Sequence, residues 1–108
     1  MLLYNVTVNV DDTALEDWLL WMKDDHIPDV LQTGLFVGAT FSRLLVDEEQ
    51  GTTYSIQYRL KDMESFHIYQ EMYAEGLQAE HQKRFKDKTV AFRTIMEVVA
   101  DFTAERLD

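Results

Sequence analysis

Cysteine is absent from this 108-residue chain. That excludes disulfides, thiolate metal sites and cysteine nucleophiles at once. Proline occurs once and glycine four times, and no low-complexity stretch, internal repeat or linker interrupts the chain. Positive charge is also scarce, with ten Lys and Arg against twenty Asp and Glu for a formal net charge of -10. Such a balance repels phosphate backbones and anionic lipids, so neither a nucleic acid nor a membrane is expected as a partner. The apolar run Trp18-Leu19-Leu20-Trp21-Met22 falls far short of the roughly 20 residues that span a bilayer. No basic leader with a cleavage site precedes it, so a cytoplasmic location is expected. Glycine-rich phosphate loops, H-E-x-x-H and G-x-S-x-G motifs and EF-hand loops are missing. The three histidines stand apart at positions 26, 67 and 81, a spacing that offers no structural zinc site.

What is present is the balance of a globular domain, 46% hydrophobic and 28% charged. At this length folding buries roughly 65% of the unfolded surface, enough for one core and one domain over residues 1–108. Tyr4 to Val10 alternates, with Tyr4, Val6, Val8 and Val10 on one face and Asn5, Thr7 and Asn9 on the other, the period of a strand. Thr13 and Glu16 have the spacing of a capping box. Leu15, Trp18, Leu19, Met22 and His26 then predict a helix of about 13 residues. Pro28 is expected to break or kink it and to start a short second turn closed by Gly34. Leu20, Trp21 and Ile27 fall outside that stripe. Leu35 to Val46 and Thr52 to Leu60, joined by a charged turn ending in Gly51, read as a β-hairpin.

Asp62 caps a second helix whose stripe is Phe66, Tyr69, Tyr73, Leu77 and Phe85, with a bend at Gly76 and with Ile68 and Met72 outside it. Lys83, Arg84, Lys86 and Lys88 gather at its C-terminal end, where basic groups suit the helix dipole. Val90 to Val99 is the last strand and Ala100 to Asp108 a tail. The order β-α-β-β-α-β predicts an α+β, ferredoxin-like fold, a four-stranded antiparallel sheet with both helices on one face and the first and third strands central.

The helices cover one face of such a sheet. To the other the alternation assigns Asn5, Thr7, Asn9, Ser55, Gln57 and Arg59 and, on the last strand, Arg93 and Glu97, with Leu3, Ile95 and Val99 as apolar members. Either that face is wet, as many antiparallel sheets are, or it pairs with an identical face across a two-fold axis. In the paired arrangement Arg59, Arg93 and Glu97 have two readings. One is an ion-pair network that sets the register; the other is recognition of a carboxylate ligand in an inter-sheet pocket, with Gln57, Thr7 and their neighbours as neutral partners. His26 ends the first helical stripe, either as a cationic cap beside Asp24, Asp25 and Asp29 or as a ligand-binding or proton-transfer group.

The segments Trp18-Leu19-x-Trp21-Met22-Lys23-x-x-His26-Ile27-Pro28-Asp29-Val30-Leu31-x-Thr33-Gly34, Thr53 to Tyr58 and Phe92-Arg93-Thr94-x-x-Glu97-Val98 resemble an uncharacterised family of small bacterial proteins. That family has no assigned function and lies within or near the dimeric α+β barrel superfamily. The resemblance runs from Tyr4 to about Val99 and implies a homodimer. Within the superfamily, haem-degrading and quinone-oxidising monooxygenases use an asparagine on the first strand and an aromatic, then a histidine, on the second helix. Asn5, Tyr69 and His81 resemble that order and imply candidate catalytic positions. Tyr69 stands where the haem-degrading members have tryptophan, which argues against haem degradation; no cofactor is the leading expectation, and haem with His81 as its ligand the alternative.

The leading expectation is a homodimer that binds a small anionic or aromatic molecule in a polar pocket between two sheets. The alternatives are a cofactor-independent monooxygenase or isomerase and a protein-interaction module built on the tryptophan-bearing helix.

Overall fold

The structure is a computed structural model that describes residues 1–105. Its strands are β1 (Leu2–Val10), β2 (Gly38–Arg43), β3 (Thr52–Leu60) and β4 (Thr89–Glu97). They form one antiparallel sheet in the order β2-β3-β1-β4. Between β1 and β2 runs a helical arm of α1 (Leu15–Trp21), a π-helical turn (Met22–His26) and α2 (Ile27–Leu31). Between β3 and β4 runs a second arm of α3 (Met63–Tyr69), a π-helical turn (Gln70–Ala74) and α4 (Glu75–Phe85). This is the ferredoxin-like architecture that the element order predicts. No helix among the described residues is long and apolar enough to cross a membrane.

The alternation of β1 and β3 has the expected consequence. Tyr4, Val8, Val10, Tyr54, Ile56, Tyr58 and Leu60 are buried beneath the helices and join Trp18, Met22, Val30 and Phe85 in one hydrophobic cluster. Ile56 and Leu60 are fully enclosed, each worth roughly 1.5–3 kcal/mol of apolar burial. Asp62 caps α3 as its position predicts, its carboxylate accepting from the Ser65 N–H at 2.9 Å. Gly34 and Gly51 close their turns at φ +80° and +71°. A Cβ on Gly51 would sit 2.6 Å from the Val10 carbonyl oxygen, so that turn needs glycine.

Several expectations give way. Thr13 does not complete a capping box. Its N–H and hydroxyl both donate to Asp11 Oδ1, at 2.8 and 2.6 Å, and α1 starts at Ala14 without a side-chain cap. The second strand is shorter than Leu35–Val46 because Leu35 and Phe36 pack into the core before it, while Leu45 lies 83% exposed after it. Pro28 lies in the first turn of α2, and the departure from α-geometry is the π-turn just before that helix. The second arm runs straight through Gly76, and its irregularity lies at Gln70–Ala74. Trp21 is buried although it was placed outside the stripe, and Tyr73 is 37% exposed although it was placed inside. The tail from Ala100 has no regular structure as far as Glu105, and its last three residues lie outside the described residues.

The largest correction concerns β4. Val6 pairs with Arg93, Tyr4 with Ile95 and Leu2 with Glu97. Directly paired residues share a face, so Arg93, Ile95 and Glu97 belong to the helix side and not to the far side. On β4 the far side is formed by Val90, Phe92, Thr94 and Met96, opposite Asn9, Thr7, Asn5 and Leu3. That surface is more apolar than the alternation implied.

Candidate functional site

The two π-turns flank a cavity between the arms and the sheet. Met22 and His26 bound the first turn, Tyr69 immediately precedes the second, and all three line the cavity with Tyr4, Val6, Val8, Ile56, Tyr58, Gln78, His81, Ala91 and Arg93. A π-turn adds a residue to the helical turn and is frequent at functional sites. Here it rotates α4 so that Ala74, Gln78, His81 and Phe85, at spacings of four, three and four, face inward. The cavity volume is about 30 Å³, room for water or a single head group rather than a ring. Gln78, His81, Ala91 and Arg93 also line a groove of about 260 Å³ between α4 and β4, completed by Gln82 and Thr89.

Two histidines from different arms meet here. Their ring centroids are 5.8 Å apart. His26 stacks on Trp21 at 4.9 Å, and His81 lies edge-on to Trp18. The buried Trp18 indole N–H donates to His81 Nε2 at 2.9 Å, satisfying a donor that burial would otherwise strand. Burial, then the neighbouring His81 and Arg93 charges, lowers the His26 pKa from 6.5 to about 4. Burial and Arg93 lower that of His81 to about 4 as well. Both rings are therefore neutral at pH 7. His26 is no cationic cap, because the chain continues as helix through Leu31 and the ring is turned inward. Its Nδ1 is buried with no hydrogen-bond partner.

Tyrosines form the third wall. Tyr4 is 6.1 Å from Tyr58 and 6.0 Å from Tyr69 between ring centroids. Burial raises the pKa of all three hydroxyls, which stay protonated. The Arg93 guanidinium and the Gln78 amide face the Tyr4 hydroxyl and oppose that shift. The lining contains no carboxylate, so Arg93 is its one formal charge.

Of the sequence-predicted residues, the cavity assembles His26, Tyr69, His81 and Arg93. It does not assemble Asn5, Thr7, Gln57 or Arg59, which lie across the sheet. Asn5 there accepts from the Ser55 hydroxyl at 2.6 Å and donates to Thr7 Oγ1 at 3.0 Å, and Arg59 donates to Thr40 Oγ1 at 2.9 Å. The sheet thus separates Asn5 from Tyr69 and His81. Glu97 has helix-side parity but stays exposed at the end of β4 and lines neither space. Tyr4, Tyr58, Gln78 and Trp18 were missed as site residues. The spacing of Gln78 three residues before His81 was the available signal for one of them. Arg84, placed with the solvated basic cluster, stacks over Trp21 at 5.5 Å.

Among the described residues no group of three or more His, Cys, Asp or Glu side chains converges. His81 Nε2 is engaged by Trp18, and the cavity falls far below the roughly 300–1,000 Å³ of a pocket for a drug-sized ligand.

The profile of a family described as a domain of unknown function (DUF4286) matches residues 1–99. No curated protein sequence matches the chain. Among solved structures, HapK from Hahella chejuensis is similar at a TM-score of 0.71 and 12% identity, covering 97% of this chain and 100% of that one. A dimeric ferredoxin-like protein from an uncultured marine organism is similar at 0.69 and 16%, covering 96% and 100%. A variant of SnoaB, a cofactor-independent oxygenase from Streptomyces nogalater, is similar at 0.67 and 11%, covering 95% and 97%. At these identities the likeness is one of fold.

Proposed function

The chain belongs to the DUF4286 family, and from that family's ferredoxin-like framework we propose a homodimeric protein that binds a small molecule between its helices and its sheet. The site is thus the cavity within each protomer, and the space between paired sheets is the subunit contact. One observation carries the reading: His26, whose buried Nδ1 has no hydrogen-bond partner, lines a cavity whose one formal charge is Arg93. A buried polar atom without a partner is rare in a native fold and calls for a water or ligand to complete it. The groove along α4 and β4 gives that ligand its entrance.

Both tryptophans of the chain touch the site's histidines, so intrinsic fluorescence reports occupancy. Titration with small aromatic and aliphatic acids, alcohols and amides is expected to give saturable fluorescence changes. His26→Phe, which removes the unpartnered nitrogen and keeps a ring against Trp21, is expected to weaken them about tenfold. Saturable binding that His26→Phe leaves untouched counts against this site.

A second reading, a cofactor-independent oxygenase or isomerase, is favoured by the same His26. A neutral imidazole beside a bound enol or phenol is able to accept its proton. With a pKa near 4 it is a weak base, and Asn5 is not at hand to assist, so binding is the leading reading. Oxygen uptake with an anthrone or hydroquinone, measured in wild type and His26→Phe, distinguishes turnover from binding alone.

A further inference from the structure

We infer that the inner end of the groove is an oxyanion subsite, in which His81 acts as a hydrogen-bond donor because Trp18 fixes its tautomer. The inference rests on the small-molecule reading above and names the ligand class: a carboxylate, or the enolate of a carbonyl compound, whose oxygens enter first.

The chemistry begins at Trp18. An indole N–H donates and never accepts, so His81 Nε2, which receives it at 2.9 Å, carries no proton. The neutral ring must then hold its proton on Nδ1. With its Nε2 lone pair taken by Trp18, His81 serves as an N–H donor rather than as a base or metal ligand. His81 stands with Arg93 and Gln78 on the boundary shared by cavity and groove, and the Tyr4 hydroxyl faces the latter two. Guanidinium, imidazole N–H, carboxamide NH₂ and phenol O–H are four donors of different type, with no carboxylate among the lining residues to occupy them. Such a set matches an acceptor-only oxyanion.

Size supports the same orientation. The inner cavity of about 30 Å³ admits the oxygens and no ring, and the groove of about 260 Å³ holds the remainder. A ligand with its anion outward would place its bulk where there is no room. The electrostatics are local, because the chain as a whole carries -10 and only a site with its own positive charge attracts an anion.

The probes are benzoate and benzamide, equal in shape and different in charge. Long-range proton–nitrogen NMR of the wild-type protein reads the tautomer directly, and Nδ1–H on His81 is expected; an Nε2–H ring overturns the inference. Benzoate is expected to bind at least about tenfold more tightly than benzamide, the ratio that one charge-assisted contact supplies. Arg93→Gln, on an exposed edge position, is expected to abolish that preference. Trp18→Phe is expected to release the tautomer and weaken benzoate about fivefold. Trp18 is fully buried; should that variant not fold, the wild-type spectrum and Arg93→Gln carry the test. Equal binding of the two probes overturns the oxyanion subsite and leaves the small-molecule reading standing. Binding of neither at millimolar concentration overturns both.

Discussion

His26 and His81 make the site sensitive to acid in a calculable direction. Their folded pKa values, about 4, lie below the 6.5 of an unfolded chain. As pH falls from about 6.5 to about 4 the unfolded chain therefore gains protons that the folded chain refuses, and stability declines. Sealed from water, each ring would cost about 3 kcal/mol; partial exposure reduces this to about 1–2 kcal/mol. Urea unfolding at pH 7 and pH 4.5 is expected to show this loss, and His26→Phe to flatten the slope by about one proton. An unchanged slope in that variant would place the titration elsewhere. The carboxylates of Asp11 and Asp62, held low by hydrogen bonds from Thr13 and Ser65, fail only further down, as pH drops through and below the usual carboxylate range. The two windows are thus separable. The cores of β1 and β3 were legible residue by residue because polar and apolar positions alternate there. Arg93 was not. Val90, Ala91, Phe92, Ile95 and Met96 are apolar on both parities, so β4 carries no phase of its own, and only its pairing with β1 settles which way Arg93 points.

At the scale of elements, the same loss of phase explains the second arm. Phe66 and Tyr69 follow α-helical spacing, and continuing it predicts Tyr73 inside. The π-turn at Gln70–Ala74 inserts about one residue, a rotation of about 100°, so Ala74 is buried and Tyr73 is turned out. No residue type in Gln70-Glu71-Met72-Tyr73-Ala74 announces this, because the turn is selected by what Gln78 and His81 pack against further on. Deleting Met72, which is 69% exposed, restores the α-helical phase and swings His81 away from Trp18. The variant is expected to lose about 2–4 kcal/mol, as for other core disruptions, together with the ligand-induced change in tryptophan fluorescence. Met72→Ala at the same position removes exposed surface only and is expected to leave both intact. Equal behaviour of the two variants would show that the π-turn does not set the register of the site. Asp62 was legible because a cap is local chemistry; the π-turns were not, because their cause is tertiary.

For the whole molecule, the question is what covers the far face of the sheet. Polar Asn5, Thr7, Ser55 and Gln57 occupy its centre, as the alternation predicted, while Val90, Phe92 and Met96 stand exposed along the β4 edge at 72%, 63% and 36%. An edge strand with that much apolar surface invites pairing or aggregation unless it is covered. A second copy in two-fold relation would cover it, and a standard specific interface closes roughly 800 Å² per subunit. The cavity opens on the opposite side of the sheet, beneath the helices, so the proposed dimer contact and the proposed ligand would draw on different faces. Wild-type protein is accordingly expected to run as a dimer in light scattering at micromolar concentration. Phe92→Asp places a charge in the middle of the contact and is expected to give monomer that still binds the ligand acid. Leu20→Asp, on the exposed side of α1 at 54%, is expected to leave the dimer unchanged. A wild-type monomer would show that the apolar edge of β4 faces water. Loss of ligand binding in a folded Phe92→Asp monomer would mean that the partner subunit reaches across the β4 edge to complete the groove, because Arg93 and Phe92 lie on opposite faces of one strand.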